Sequence, residues 1–251
     1  VVYPGADTRD AAPAFQRAYR AEASMALIVA RAFVASTVLD YLLSPRLAAD
    51  LGPAVPPLAP GQVAISGHSR NGKQSLLAAA FDARISAVVG SSPGAPISSP
   101  YHFSSPNFYG EGPDAGAAGS WWLPSITQYT EHPETLPMDG HGVLALVAPR
   151  ACAIADGWTD REGDLTFADE AAVRAARGVY VLLGAPANLT LIHRPGDHHG
   201  FDSVNSYFDF FDARFGRLDR RFALGYAGQA LATADPFPLA YLTAAGFEWR
   251  A

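Results

Sequence analysis

The sequence contains a single cysteine, Cys152, and only one lysine, Lys73, among its 18 basic residues. One cysteine cannot form an internal disulfide, and no Cys/His cluster predicts structural zinc. The apolar neighbours of Cys152 favour a small buried residue over a nucleophile. No run of about eighteen apolar residues indicates a membrane-spanning helix. We therefore expect no disulfide framework, no metal, no organic cofactor and no membrane association.

Charged residues are also sparse, at 17% of the chain, while hydrophobic residues make up 49% and the formal net charge is −6. A disordered chain would be more charged and less apolar. The acidic balance argues against nucleic-acid binding, which requires clustered cations facing the phosphates. A chain of 251 residues can bury a substantial core, and we interpret residues 1–251 as one domain. The first residues, Val-Val-Tyr-Pro-Gly, lack an initiator methionine and a signal-peptide pattern, so we expect a processed or truncated product.

Apolar strands alternate with helical segments along most of the sequence. Strands are predicted over residues 62–66, 85–90, 151–155 and 189–193, and helices over residues 30–43, about 70–81, 167–183 and 204–215. Residues 91–141, rich in proline, glycine, serine and aromatic side chains, predict a long excursion that lines a cleft. Alternating strands and helices indicate an α/β fold with a mainly parallel sheet between two helical layers.

The strongest local signal lies between the first predicted strand and the helix that follows it. Residues 67–72 are Gly-His-Ser-Arg-Asn-Gly, a GxSxxG variant of the usual GxSxG motif. On a sharp strand-to-helix turn, Ser69 would project above the sheet, and the amide of Arg70 at the helix N-terminus would stabilise an oxyanion. The alternative, a serine that only caps the helix, explains Ser69 but not the residues around it.

A serine nucleophile needs a base and an orienting acid, in the chain order serine, acid, histidine for this architecture. Asp156 and Asp160 follow the third predicted strand, and His198 and His199 follow the fourth. The carboxyl ends of parallel strands lie at one edge of a sheet. We therefore predict a Ser-His-Asp triad at this edge.

At these residues the sequence resembles the α/β-hydrolase superfamily and, within it, the glucuronoyl esterases of carbohydrate esterase family fifteen. The similarity covers about residues 30–216, and its most specific part is residues 67–73, Gly-His-Ser-Arg-Asn-Gly-Lys. It extends to residues 136–150, 156–163 and 194–198. The resemblance implies an α/β-hydrolase-like three-layer sandwich that here lacks the usual N-terminal strands. It also implies hydrolysis of the ester between 4-O-methyl-glucuronic acid on xylan and lignin alcohols.

The resemblance further implies roles for individual residues. Ser69 would be the nucleophile, and Arg70 would support the oxyanion through its backbone N–H and its guanidinium. Lys73 would bind the sugar, and Trp158 would pack against that sugar. Independently, the only ammonium side chain lies one helical turn beyond the proposed nucleophile, where its rotatable donors suit hydroxyl and carboxylate oxygens. A chance surface lysine is the alternative.

Other candidate substrate contacts come from the excursion at residues 91–141. Glu111 corresponds to a sugar-contacting region of the family or is a solvent-facing loop residue. Of Trp121 and Trp122, one is expected to line the cleft and the other to pack beneath it. We select Trp122 as the residue that contacts substrate.

The acid and the base each have two candidates. Asp156 ends its predicted strand and matches the acid of the resembling motif, so we place it before Asp160, which fits the generic hydrolase turn. A gap-free match to the family selects His198, which we place first, and the generic His-Gly-Phe pattern selects His199. Some family members carry their acid after the strand that follows the nucleophile helix, but this sequence has Ser-Ser-Pro-Gly at residues 91–94.

Two other functions would use the same residues. One is an acetyl-xylan or other small-acyl esterase with the same triad. The other is a noncatalytic hydrolase-like binding module, favoured if absent N-terminal strands leave the triad unassembled. Without those strands we expect an exposed sheet edge and a larger share of oxyanion stabilisation from Arg70. The expected partner is a small-molecule or polysaccharide ester, and the resemblance implies a secreted or periplasmic location.

Overall fold

The computed structural model describes residues 26–52, 58–103, 112, 121–157, 160, 166–194, 197–199 and 204–216. In chain order these residues form helices α1 (Leu27–Leu42) and α2 (Arg46–Leu51), strand β1 (Ala64–His68), helix α3 (Arg70–Phe81), strand β2 (Ala87–Ser91), helix α4 (Gly140–Val147), strand β3 (Ala151–Gly157), helix α5 (Thr166–Leu182), strand β4 (Leu189–Arg194) and helix α6 (Val204–Arg214). Short 3-10 turns occur at Tyr101–Phe103, Pro124–Tyr129, Pro133–Thr135 and Pro186–Asn188.

The four strands form one parallel sheet in the order β1-β2-β3-β4. Parallel neighbours require crossover connections, and helices α3, α4 and α5 lie in the three crossovers. In the observed register His68 lies beside Ser91, and Asp156 lies beside His193. All four strands therefore end at the same edge of the sheet, and the predicted site residues lie at or just beyond their carboxyl ends.

Helices cover both faces of the sheet, and each face has its own buried core. Because successive strand residues point to opposite faces, Val88 enters one core and Val89 the other. The first core contains residues of α1, α3, α4 and α5, and the second contains Phe210 and Phe211 of α6. This arrangement confirms the predicted three-layer α/β sandwich with a parallel sheet.

Cys152 lies fully buried in the first core. Burial raises the pKa of its thiol to about 12, so the side chain is neutral at physiological pH. It packs as a small apolar residue, as the sequence predicts.

Strand β1 borders an open cavity of about 620 Å³ whose lining includes Val38 and Leu42 of α1 and Ile65 of β1. Within the described ranges, β1 pairs only with β2, so its other side has no strand beside it. Among the described strands, β1 is therefore an edge strand of the sheet. None of the described helices is long and apolar enough to cross a membrane.

Candidate active site

Ser69 lies at the turn between β1 and α3 with a strained backbone, at φ 55° and ψ −128°. It is one of two non-glycine residues with positive φ in the described part of the chain. Its N–H donates to the Ser91 carbonyl at 2.8 Å, and its own carbonyl accepts from the amides of Gly72 at 2.7 Å and Lys73 at 3.1 Å. Such strain costs about 1–3 kcal/mol and persists only where the surroundings enforce it. A strained serine between a strand and a helix is typical of a hydrolase nucleophile.

Close main-chain approaches exclude a side chain at Gly67 and leave little room for one at Gly72. A Cβ on Gly67 would overlap the carbonyl of Asn71 in the first turn of α3. A Cβ on Gly72 would lie 3.1 Å from the carbonyl oxygens of both Gly67 and Ser91. The second glycine therefore stands at the point where α3 crosses the ends of β1 and β2. This packing explains why the spacing here is GxSxxG.

The structure joins His198 to Asp160. Nδ1 of His198 lies 2.8 Å from Oδ2 of Asp160, and the side chains are only 7% and 0% exposed. The Asp160 amide donates to the Gly157 carbonyl at 3.0 Å, which fixes the carboxylate at the end of β3. If Nδ1 carries the hydrogen donated to the carboxylate, Nε2 is the atom that can accept a proton.

Asp156, our first choice for the acid, occupies a different position. It still belongs to β3, which continues two residues beyond its predicted end, to Gly157. Its Oδ1 accepts from the Ser92 hydroxyl at 3.5 Å, across the ends of two neighbouring strands. The carboxylate that contacts Nδ1 of His198 is thus that of Asp160, the second of the two predicted acids, and not that of Asp156.

Of the two candidate bases, His198 is buried and His199 is exposed. The His198 ring centroid lies 4.7 Å from that of His68, the residue before Ser69, whereas the His199 ring is 5.9 Å from it. The His199 amide donates to Oδ1 of Asp197 at 3.0 Å, a bond that stabilises the turn over residues 197–199. The geometry favours His198 as the base, which is also the histidine that the sequence places first.

Two cations of α3 lie beside the nucleophile. Lys73 is only 2% exposed, and its Nζ lies 4.9 Å from the centroid of the Trp121 ring. The guanidinium carbon of Arg70 lies 5.8 Å from the same ring. The positive end of the α3 helix dipole adds to this charge. A developing negative charge near Ser69 would therefore be stabilised.

Of the other three predicted substrate contacts, only Trp122 lies within the described residues. Trp122 is half-buried, and its indole Nε1 has no hydrogen-bond partner among the described residues. Glu111 and Trp158 lie outside the described residues. Trp121, not Trp122, contacts the two cations, and the sequence pattern offers no signal that distinguishes these adjacent residues.

Asp139 braces the excursion that follows β2. Its carboxylate accepts from the amides of Tyr101 and His102, each at 3.0 Å, and from the Gly140 amide at 2.7 Å. The same carboxylate lies 2.7 Å from Nδ1 of His102.

Across the part of the chain that the structure describes, no group of three or more His, Cys, Asp or Glu residues could hold a metal ion.

A parallel sheet covered by helices on both faces, with a strained serine between a strand and the next helix, defines the chain as an α/β-hydrolase fold. A sequence profile of the fungal glucuronyl esterases matches residues 4–184. The chain belongs to this glucuronyl esterase family.

Individual relatives are similar to the chain in sequence, and solved structures are similar to it in fold. The chain is 28% identical over 155 residues to a 4-O-methyl-glucuronoyl methylesterase of Schizophyllum commune, covering 60% of this chain and 37% of that enzyme. Among solved structures it is similar to a carbohydrate esterase family 15 glucuronoyl esterase from Caldicellulosiruptor kristjansonii, with a TM-score of 0.64, 24% identity, and coverage of 78% of this chain and 52% of that one. The glucuronoyl esterase catalytic domain from Hypocrea jecorina gives a TM-score of 0.66 at 21% identity, with coverage of 84% and 57%. The chain spans about a third of the length of the curated relatives it matches.

Proposed function

We propose that this chain carries the catalytic machinery of a serine carboxylic-ester hydrolase acting on a carbohydrate ester, a 4-O-methyl-glucuronoyl ester of xylan. The observation that carries the proposal is the buried hydrogen bond between His198 and Asp160, adjacent to the strand that delivers the strained Ser69. The family membership and the names of the relatives support the choice of substrate.

The reaction begins with Ser69 as the nucleophile and His198 as the general base. Nε2 of the imidazole takes the Ser69 hydroxyl proton while Oγ attacks the ester carbonyl carbon. Asp160 accepts the hydrogen bond from Nδ1, holds the required tautomer and stabilises the imidazolium that forms. General-base assistance of this kind contributes about 10²–10⁴-fold to the rate.

The tetrahedral intermediate carries a negative charge on the former carbonyl oxygen. We propose two donors to that oxygen, the Arg70 amide in the first turn of α3 and the Arg70 guanidinium. An oxyanion donor typically lowers the activation free energy by roughly 3–4 kcal/mol. The imidazolium then protonates the leaving alcohol, and an acyl-enzyme on Ser69 remains. Water, deprotonated by His198, hydrolyses it and releases the uronic acid. No step requires a cofactor.

Substrate binding is proposed to centre on Lys73. Because the acyl carboxyl is esterified, the ammonium meets sugar hydroxyls in the substrate and the free carboxylate only in the product. Trp122 packs against the buried core, and its Nε1 is buried with no hydrogen-bond partner among the described residues, so its proposed contact with the sugar is through the ring. Trp158, by packing against the ring, and Glu111, by accepting from a hydroxyl, remain proposed contacts.

The test compares hydrolysis of the benzyl ester of glucuronic acid with hydrolysis of a simple acetyl ester. Ser69→Ala should abolish turnover, and Ser66→Ala, in the strand that leads to Ser69, serves as the matched control. We expect the glucuronate ester to be the better substrate and Lys73→Ala to raise its KM selectively. Turnover of the acetyl ester alone would support a small-acyl esterase. The absence of Ser69-dependent turnover would support a noncatalytic binding module.

A further inference from the structure

Ser91, the last residue of β2, connects the helix after the base-bearing loop to the strand that carries the nucleophile. Tyr207, in α6, donates its hydroxyl hydrogen to Oγ of Ser91 at 2.6 Å. The same Oγ lies 3.1 Å from Nδ1 of His68, the last residue of β1. The mechanism described above uses none of these three side chains.

The available hydrogens allow one consistent direction for these two hydrogen bonds, from Tyr207 through Ser91 to His68. A serine hydroxyl has one hydrogen and can accept at its oxygen. Since Ser91 Oγ accepts from Tyr207, its own hydrogen can be donated to Nδ1 of His68. In that arrangement, which is part of the inference, His68 is a neutral imidazole whose hydrogen is on Nε2. A neutral ring at this position is favourable, because a second imidazolium there would oppose the one that forms on His198.

His68 in turn packs against the proposed base. The two ring centroids lie 4.7 Å apart with an interplanar angle of 54°. Asp160 fixes one edge of the His198 ring through Nδ1, while the contact with His68 restricts the remaining freedom of the ring. General-base catalysis is sensitive to such placement, since an error of about 1 Å can cost about 10²-fold in rate.

We propose that Tyr207, Ser91 and His68 are positioning residues that hold His198 in line with Ser69. This inference rests on the proposed esterase function. The hydrogen-bonded chain ties α6, which follows the loop bearing His198, to the ends of β2 and β1. The base and the nucleophile thereby keep a fixed separation although they lie far apart in the sequence.

The test measures kcat and KM for benzyl glucuronate in Tyr207→Phe, Ser91→Ala and the double variant. Both substitutions remove a hydroxyl without adding volume. We expect each to lower kcat about tenfold at unchanged KM, and the double variant to fall no further, because either change breaks the same chain. Tyr41→Phe is the matched control, since the Tyr41 hydroxyl bonds to Asp50 on the exposed side of α1 and α2. It should retain the wild-type kcat.

Rates are expressed per competent site, titrated with a fluorophosphonate, so that partial misfolding cannot imitate a positioning effect. Additive losses, an unchanged kcat, or a rise in KM alone would overturn the positioning role while leaving the esterase proposal intact. An inactive wild-type protein would overturn both. Nitrogen NMR of the His68 ring provides a second readout. We expect an Nε2–H tautomer in the wild type that is altered in Ser91→Ala, and an Nδ1–H tautomer in the wild type would refute the direction of the chain.

Discussion

Replacing Asp160 with asparagine is expected to reduce kcat by about 10³–10⁴-fold without unfolding the protein. Asparagine has nearly the same shape, but its amide can donate to Nδ1 of His198, which moves the ring hydrogen to Nε2. That nitrogen then cannot accept the Ser69 proton. The negative charge that stabilises the imidazolium is also lost from a fully buried position. The corresponding change in a serine protease triad lowers kcat by about 10⁴-fold.

The assay is steady-state hydrolysis of benzyl glucuronate, with Asp156→Asn as the matched control. Asp156 is equally buried and lies at the end of the same strand, but its Oδ1 is 3.5 Å from the Ser92 hydroxyl. This change leaves the Asp160 carboxylate on His198 in place, so kcat should stay within about tenfold of the wild type. A larger loss in Asp156→Asn than in Asp160→Asn, at equal thermal stability, would refute the assignment of the acid.

Three further predictions concern stability and specificity. Gly67→Ala should sharply lower the unfolding temperature, because its Cβ would overlap a main-chain carbonyl of α3. Gly178 lies in α5 with open space around it, so Gly178→Ala should raise the free energy of unfolding by about 1 kcal/mol. Trp121→Leu should raise the KM for benzyl glucuronate about tenfold, and that for the acetyl ester less, because it removes the ring packed on both site cations. Hydrogen bonding to Arg84 lowers the pKa of Asp82 to about 2, so this stabilisation is present above about pH 4 and is lost as the pH falls towards 2. In urea unfolding, Arg84→Met should lower the free energy of unfolding by on the order of 1 kcal/mol at pH 7. Near pH 2 the free energies of unfolding of the variant and the wild type should be the same.

The four strands and four of the six described helices could be predicted because they follow from apolar periodicity. Helices α2 and α4 were not predicted, since both are too short to show a clear helical period. The position of Ser69 could be predicted for a related reason. A Cβ at position 67 would overlap a main-chain carbonyl and one at position 72 would make tight contacts, so glycine is favoured at both and the motif is visible in the sequence itself. The pairing of His198 with a carboxylate at the end of β3 was within reach of the same reasoning.

The choice between the two aspartates was not within reach. The resemblance to the family favours Asp156 and the generic hydrolase turn favours Asp160, and only the fold shows that β3 continues to Gly157 and that Asp160 contacts His198. Trp121 and Trp122 pose a similar problem. They lie outside regular structure, so no periodicity in the sequence predicts which of the two rings faces the site. The chain from Tyr207 to His68 joins residues from three distant segments, and such a contact depends on the register of the sheet.

The central claim, that Ser69 is a nucleophile activated by the His198–Asp160 pair, is tested most directly by covalent labelling with a fluorophosphonate probe and peptide mass spectrometry. We predict a single adduct on Ser69 whose rate of formation falls at least about 10²-fold in His198→Ala and is unchanged in Ser66→Ala. Labelling of a different serine, or a rate that does not depend on His198, would contradict it.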